Sequence, residues 1–415
     1  MTTFIAFLLH AYQPPTQDVE ILKKINQESY IPILKLMEEF DFSRFNLNVN
    51  GVLIDFLEEH GLLEPIELLK KLLISNKIEL LGTAKYHPIL PLIPEREVLR
   101  QIHLNEQLNE KVFGKYWKKR GFFPPEMAIS PSLLKIIQKL NYKWIICSGI
   151  AFPMDENKSK LKWPKDYICL YDNDFHVLFR DDILSNRIAF NHVSAKDFYE
   201  ELVNSNLHDN YSIIAVDMET FGHHIKNYEK LFLKTLLELI SENKSIQLVT
   251  ISELIQRFKK NPQENIVPRE SSWSTTQEDL KKKIPFPLWN HPDNKIHYFY
   301  WKAMRSLNNL MFLADKSCSN PSENEMKNYY ITARYFHDRS LHSCPMWWAN
   351  PLHGLFSPNL IYKGLDLMMK AALNAQLALE YGGIQSGEGY FDSITYYQGL
   401  ILMELYAVVR RIVKK

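Results

Sequence analysis

The sequence is poor in cysteine for its length of 415 residues. Cys147, Cys169, Cys318 and Cys344 are scattered, with no Cys-x-x-Cys pair, which argues against a zinc knuckle or a disulfide framework. Neither sign of charge is in excess. Lys plus Arg number 49 and Asp plus Glu 48, a net charge of +1, so there is no electrostatic case for nucleic acid or an anionic membrane as partner. No apolar run approaches the length of a membrane span. Residues 1–10 lack a basic stretch and a small-residue cleavage site, so no signal peptide is expected. A soluble cytoplasmic protein is the expectation. No Gly-x-Gly-x-x-Gly follows the first apolar run and no Walker-type phosphate loop occurs, which leaves a dinucleotide site without support.

What the chain does have is polar residues collected behind short apolar runs. Ile213-Ile214-Ala215-Val216 ends in Asp217, then Glu219, Gly222, His223 and His224. A buried strand that closes on carboxylates and histidines places them where α/β folds build their sites. The same happens after residues 4–9 with His10-Ala11-Tyr12-Gln13-Pro14-Pro15, and after 77–81 with a Gly-containing turn that reaches His87. Glu79 lies inside the latter strand, and charges seldom sit in buried strands unless paired or functional. Gly121-Phe122-Phe123-Pro124-Pro125 closes on Glu126, and two prolines exclude an ordinary helix there.

Strands are expected at 4–9, 44–49, 77–81, 120–123, 143–148, 211–216 and 246–249, with a β excursion over 167–180. Helices are expected at 51–60, 65–75, 95–113, 131–140 (Ser130 as N-cap), 195–206, 228–242 and 251–260. The alternation predicts a parallel α/β barrel of seven or eight units, with a doubly wound sheet as competitor. Prolines 262, 268, 285, 287 and 292 mark 261–294 as a crossing segment. Residues 295–415 read as helical, with helices at 295–316, 322–341, 360–380 and 396–413. Trp347-Trp348 between Pro345 and Pro351 cannot both face one core. The expected domains are a barrel over 1–260 and a helical lobe over 295–415.

These motifs, in this order, resemble glycoside hydrolase family 57. His10-Ala11-Tyr12-Gln13-Pro14-Pro15 is similar to its opening motif, with Tyr12 where other members have a second His. Glu79 to His87 resembles the second motif, with His87 where many members have Glu. Phe123-Pro124-Pro125-Glu126 resembles the third, Asp217-Met218-Glu219-Thr220-Phe221-Gly222 the fourth, and the Trp347-Trp348 region the fifth. The resemblance implies an incomplete (β/α)7 barrel completed by a helical domain. It implies action on α-linked glucans with retention of configuration and no metal in the chemistry. Glu126 would be the nucleophile and Asp217 the general acid/base.

Retaining hydrolysis needs two carboxyl groups roughly 5–5.5 Å apart, and Asp217 must be protonated at rest, its pKa raised by burial or by Glu126 and Glu219. His10, Tyr12, Gln13, Glu79, His87, Glu219 and His223 are the candidates for sugar hydroxyls. Trp273 and Trp347 either stack on sugar faces or fill a core. Two other readings stay open: a metal-dependent polysaccharide deacetylase, which needs a His-x-x-x-His that is missing here, and a carbohydrate binder that has lost catalysis.

Overall fold

Strand β1 (Thr3–Ala11) is buried along its whole length, because its sequence TFIAFLLHA is apolar on both faces, as a central parallel strand requires. The computed structural model describes residues 2–413 except 154–161, 173, 205–207, 244, 262–263, 319–323 and 385–386. The ends of the helices expected at 195–206 and 322–341, and Pro262, therefore lie outside the described residues. The chain divides into two compact units. The first holds Met1–Gln13, Gln17–Lys85 and Glu95–Trp273; the second holds Pro14–Thr16, Tyr86–Pro94 and Ser274–Lys415.

In the first unit, β1 pairs in parallel with β2 (Phe45–Val49), which pairs in parallel with β3 (Ile78–Leu80). A second sheet begins with β4 (Gly121–Phe122) and β5 (Trp144–Cys147), and continues through a hairpin of β6 (Cys169–Tyr171) and β7 (Phe175–Phe179). β8 (Asn210–Asp217) returns to β1 over eight residues. The two sheets are stitched at both edges. Gly82 N–H donates to Gly121 O and Phe123 N–H to Gly82 O, each at 2.9 Å, while Asp181 N–H donates to Ile213 O at 2.8 Å. A Cβ on Gly82 would lie 2.2 Å from the Tyr142 hydroxyl, so only glycine permits that first seam. The result is an incomplete parallel barrel. Phe4, Ala6 and Leu8 point inward with Leu81, Ile146, Leu178 and Ala215. Ile5, Phe7 and Leu9 point outward into the helices. Period-two alternation then aims His10 and Asp217 inward at the end of their strands.

One stave differs from expectation. The sequence pattern puts residues 246–249 in the wall and 167–180 in an excursion. β9 (Ile246–Leu248) does join the first sheet in parallel, but only along Thr3–Ile5 at the start of β1, and β7, inside the expected excursion, lies parallel to β5 as a stave of its own. Hydrophobic pattern identifies a strand but not the neighbour it joins, and a hairpin return hides a stave inside what reads as a local excursion. A helical stretch with no sequence reading also appears: Val19–Ile25, a π-helical turn Asn26–Tyr30, and Ile31–Glu39. Helix Pro131–Lys139 begins as Ser130-Pro131 leads one to expect, with the Ser130 hydroxyl accepting from Leu133 N–H. β10 (Glu264–Asn265) adds to β6.

The second unit is built on four long helices, Lys295–Cys318, Asn324–Ser340, Pro358–Tyr381 and Glu388–Val413. The second of these packs along the third and the first against the fourth. Arg334 forms a half-buried ion pair with Asp315, and His337 Nε2 meets Asn308 Oδ1 at 2.8 Å. Among the described residues no helix is long and apolar enough to cross a membrane.

Candidate active site

The inward-facing end of β8 carries Asp217, and its register partner in β1 is His10. The chain leaves β8 in a tight 3-10 turn, Met218–Thr220, which carries Glu219 back toward β1. Glu219 Oε1 accepts from Gln13 Nε2 at 3.0 Å, from Tyr12 N–H at 3.3 Å and from the Tyr30 hydroxyl. Ser29 Oγ also donates to Met218 O at 2.9 Å. The π-helical turn Asn26–Tyr30 therefore grips the site loop from two successive residues. It grips a third point as well: Gly222 has φ 97°, and a Cβ there would stand 1.9 Å from Glu28 O. Gly222→Ala should destabilise the protein by about 3 kcal/mol, since left-handed strain and overpacking each cost roughly 1–3 kcal/mol. Urea unfolding at neutral pH measures this, and a change under about 1 kcal/mol would show that the loop is not held there.

Glu126 sits beyond β4 in left-handed backbone, φ 58° and ψ 18°, followed by Met127 at φ 47°. Neither residue is glycine, and such strain persists only where the surroundings hold it. Here Met127 N–H donates to Pro124 O at 2.8 Å and Trp273 N–H to Glu126 O at 3.1 Å. The Trp273 indole N–H donates to Glu126 Oε2 at 2.7 Å. Trp273 is thus a hydrogen-bond donor set edge-on to His10 and Phe123, with ring centroids 5.9 and 6.1 Å away.

The electrostatics follow from this burial. Burial pushes the Glu126 carboxyl up to about 8, the charge of Asp217 adds to the rise, and the Trp273 indole pulls the other way. Burial pushes Asp217 up to about 6 against the pull of the Arg180 guanidinium. Glu219 rises to about 7, through burial and then the charge of Asp217, with Tyr30 and Gln13 opposing. His10 is pushed down to about 4 by burial, which outweighs its bond to Asn48, so the ring is neutral at pH 7. Its Nδ1 meets Asn48 Oδ1 at 2.5 Å and its face stacks on Phe123 at 4.8 Å. Glu126 and Glu219 each feel the charge of Asp217, and carboxyl groups linked in this way share protons as a set. At neutral pH such a set holds both a carboxylate and a carboxylic acid, the pair that acid/base chemistry at a polar bond requires.

The profile of the glycosyl hydrolase family 57 matches residues 6–267. The chain belongs to that family. It is 28% identical over 259 residues to an α-amylase of Pyrococcus horikoshii, covering 61% of this chain and 40% of the relative. It is 25% identical over 258 residues to a 4-α-glucanotransferase of Thermococcus litoralis, covering 61% of this chain and 38% of the relative. The chain thus spans about two fifths of the length of these curated relatives. Among solved structures, the branching enzyme of Pyrococcus horikoshii superposes with a TM-score of 0.72 at 14% identity, covering 95% of this chain and 94% of that one. The 4-α-glucanotransferase of Thermococcus litoralis gives 0.68 at 21% identity, covering 89% and 59%. These likenesses carry the fold.

Within this family 57 chain, the structure brings together His10, Tyr12, Gln13, Glu126, Asp217, Glu219 and Trp273. Other expected residues have partners of their own. Glu79 points into the barrel, but its partner Asn46 is level with Leu8, two residues short of His10. Both its oxygens accept from Ser252, N–H at 3.1 Å and Oγ at 2.5 Å, so it fastens the helix Ile251–Phe258 rather than joining the carboxyl set. His223 Nδ1 meets Glu28 Oε2 at 2.7 Å, and Lys226 pairs with the same carboxylate. His87 and Trp347 belong to the second unit. His87 is buried at φ 57° with Nδ1 3.0 Å from Ser343 Oγ. Trp347 closes the short helix Cys344–Trp347, half-buried, 5.5 Å from the Trp289 ring. Sequence reasoning missed two residues. Arg180 ends the β7 stave, and its signal was the charged Arg-Asp-Asp that follows Phe179. Tyr30 lies in a stretch without motif, and no signal marked it.

Proposed function

We propose that this chain is a retaining glycosidase or transglycosylase of α-linked glucans, with Glu126 as nucleophile and Asp217 as general acid/base. The observation that carries the reading is that His10 links the two carboxyls: it is the register partner of Asp217, and its ring lies edge-on to Trp273, whose indole N–H holds Glu126. One of these half-buried carboxyls is held by an indole N–H on strained backbone and the other ends a barrel strand. In the first step a Glu126 oxygen bonds the anomeric carbon as the glycosidic C–O bond breaks, and Asp217 gives its proton to the departing oxygen. In the second, Asp217 takes a proton from water or a sugar hydroxyl, which displaces Glu126. His10, Tyr12, Gln13 and Glu219 hold sugar hydroxyls beside the reacting carbon. The α-amylase and 4-α-glucanotransferase names of the relatives support the substrate class. Tyr12 and His87 depart from the family pattern and bear on which glucan is preferred.

Incubation with maltooligosaccharides, with products resolved by size, tests the reading. Longer and shorter products together mean transfer, shorter ones alone mean hydrolysis, and no change in size contradicts the proposal. Trp347 is proposed as an aromatic platform for the sugar chain. Trp347→Ala should then shift product lengths or raise KM about tenfold while destabilising by less than the roughly 3–5 kcal/mol expected of a core tryptophan. A large drop in melting temperature with unchanged products would make it a packing residue.

A further inference from the structure

Arg180 is 4% exposed. An arginine cannot shed its charge at any physiological pH, so burying one demands partners. Its own are unusually well placed. Nε donates to Ala215 O at 2.8 Å, on β8 two residues before Asp217. Nη1 donates to Asp182 Oδ1 and Nη2 to Asn186 Oδ1, each at 2.8 Å. Asp182 is itself anchored, because it accepts from Ser148 Oγ at 3.0 Å and from Ile150 N–H at 2.9 Å. The guanidinium carbon then lies 5.9 Å from the centroid of the Trp273 ring, within cation–π range. Trp273 is the residue whose indole N–H holds Glu126. A single planar cation therefore bonds to the strand that carries one carboxyl and lies within cation–π range of the ring that holds the other.

We propose that Arg180 is a positioning residue for the glycosyl transfer: it aligns the indole that grips Glu126 and supplies the counter-charge for the negative charge that Asp217 acquires when the leaving group departs. This rests on the function proposed above. In the first step the charge moves. With Glu126 held at about 8 and Asp217 at about 6, the free site at neutral pH keeps its proton on Glu126. The reactive form has that proton moved to Asp217, so that Glu126 starts as the anion and ends as a neutral ester, while Asp217 gives the proton to the leaving oxygen and ends as the anion. A fixed cation beside Asp217 makes it a stronger acid for this departure. The same cation makes it a weaker base for the second step, in which Asp217 recovers a proton and Glu126 is released as carboxylate. The pull of Arg180 on Asp217 runs in that direction. The other groups whose charge bears on Asp217 or adjoins it are Glu126, Glu219, Tyr30 and its register partner His10. Asp182 faces Arg180 from the other side. A lysine could carry the charge but not the planar fork with its stack on the indole.

The test compares wild type, Arg180→Lys and Arg180→Met in the full chain, each checked for folding by circular dichroism. Two readouts are taken: the titration of the Asp217 carboxyl by 13C NMR, and kcat and KM on a maltooligosaccharide and on an aryl α-glycoside with a good leaving group. In Arg180→Met, Asp217 should titrate about one pH unit higher. Its kcat on the maltooligosaccharide should fall roughly 10- to 100-fold, and on the activated glycoside about threefold or less. Arg180→Lys should keep the Asp217 titration near wild type but lose rate on both substrates, because the indole is no longer aligned. The inference is overturned if Arg180→Met leaves the titration and the ratio between the two substrates unchanged, whatever happens to the melting temperature. If Arg180→Met does not fold, Arg180→Lys decides: wild-type rates on both substrates would overturn the inference. The titration is independent of turnover. A wild type inactive on every glucan would overturn the functional reading, while the Asp217 titration would still judge the placement of Arg180.

Discussion

Glu126→Gln is expected to lower kcat on any glucan substrate by at least about 10⁴-fold, because the amide cannot bond the anomeric carbon and the neighbouring carboxyls are committed to other roles, Asp217 to proton transfer and Glu219 to its bonds with Gln13 and Tyr30. The fold should survive. A glutamine fits the same left-handed site, and its carbonyl oxygen can still accept from the Trp273 indole N–H. The substitution should in fact raise stability at alkaline pH. In the folded protein the Glu126 carboxyl is pushed from an ordinary 4.5 to about 8, chiefly by burial. The folded state therefore holds this proton more tightly than the unfolded state does. The stability linked to it is complete below about 4.5 and is lost as pH rises through about 8. Glutamine never ionises, so it avoids that loss. Wild type and variant should be alike at pH 5. At pH 9 the variant should be more stable by a few kcal/mol, because each pH unit between the two proton affinities is worth about 1.36 kcal/mol. Denaturant titrations at the two pH values check this. A variant less stable than wild type at pH 9 would mean that Glu126 is held as a paired carboxylate and not as a destabilised one.

Asp217→Asn should damage the reaction unevenly. With a natural sugar leaving group the first step loses its proton donor, and kcat should fall roughly 10²- to 10⁴-fold. With an aryl leaving group that departs as a stable anion, the first step should proceed nearly as before. The second step then lacks a base, so a covalent glycosyl-enzyme should accumulate and show as a burst of released phenol. Azide, which needs no deprotonation, should restore turnover as the glycosyl azide. Intact-mass measurement during the burst would show the added glycosyl mass, and digestion would place it on the peptide that contains Glu126. Equal loss on both leaving groups, without burst or rescue, would give Asp217 a purely structural part at the end of β8.

The carboxyls that carry these expectations were readable because strand ends are where a barrel exposes side chains. An acid directly behind Ala215-Val216, or behind Pro124-Pro125, has few structural reasons to be there. Their partners were not readable to the same degree. Arg180 follows a strand that forms the second arm of a hairpin, so the sequence marks it as the end of an excursion and not of a stave. Tyr30 reaches Glu219 because residues 26–30 wind as a π-helical turn, a local widening that apolar periodicity does not announce. Trp273 is aromatic, and an aromatic near a sugar site suggests stacking. What places it is the indole N–H on Glu126, an interaction between residues far apart in sequence. Glu79 shows the limit of alternation. A charge inside a buried strand is paired or functional, and Glu79 is paired: it points into the barrel, but register leaves it two residues short of His10 with both oxygens on Ser252. In the same way the composition of Phe175–Phe179 and of Ile246–Leu248 is equally strand-like, and only pairing tells that the first runs the length of β5 while the second joins just the start of β1.

The most direct test of these roles is the anomeric configuration of the first product. Proton NMR during the opening minutes of maltooligosaccharide cleavage, before mutarotation, reports it. Double displacement by Glu126 and Asp217 predicts the α-anomer first, relaxing later toward the equilibrium mixture. The β-anomer appearing first would show a single inverting displacement by water and would contradict the roles assigned to both carboxyls.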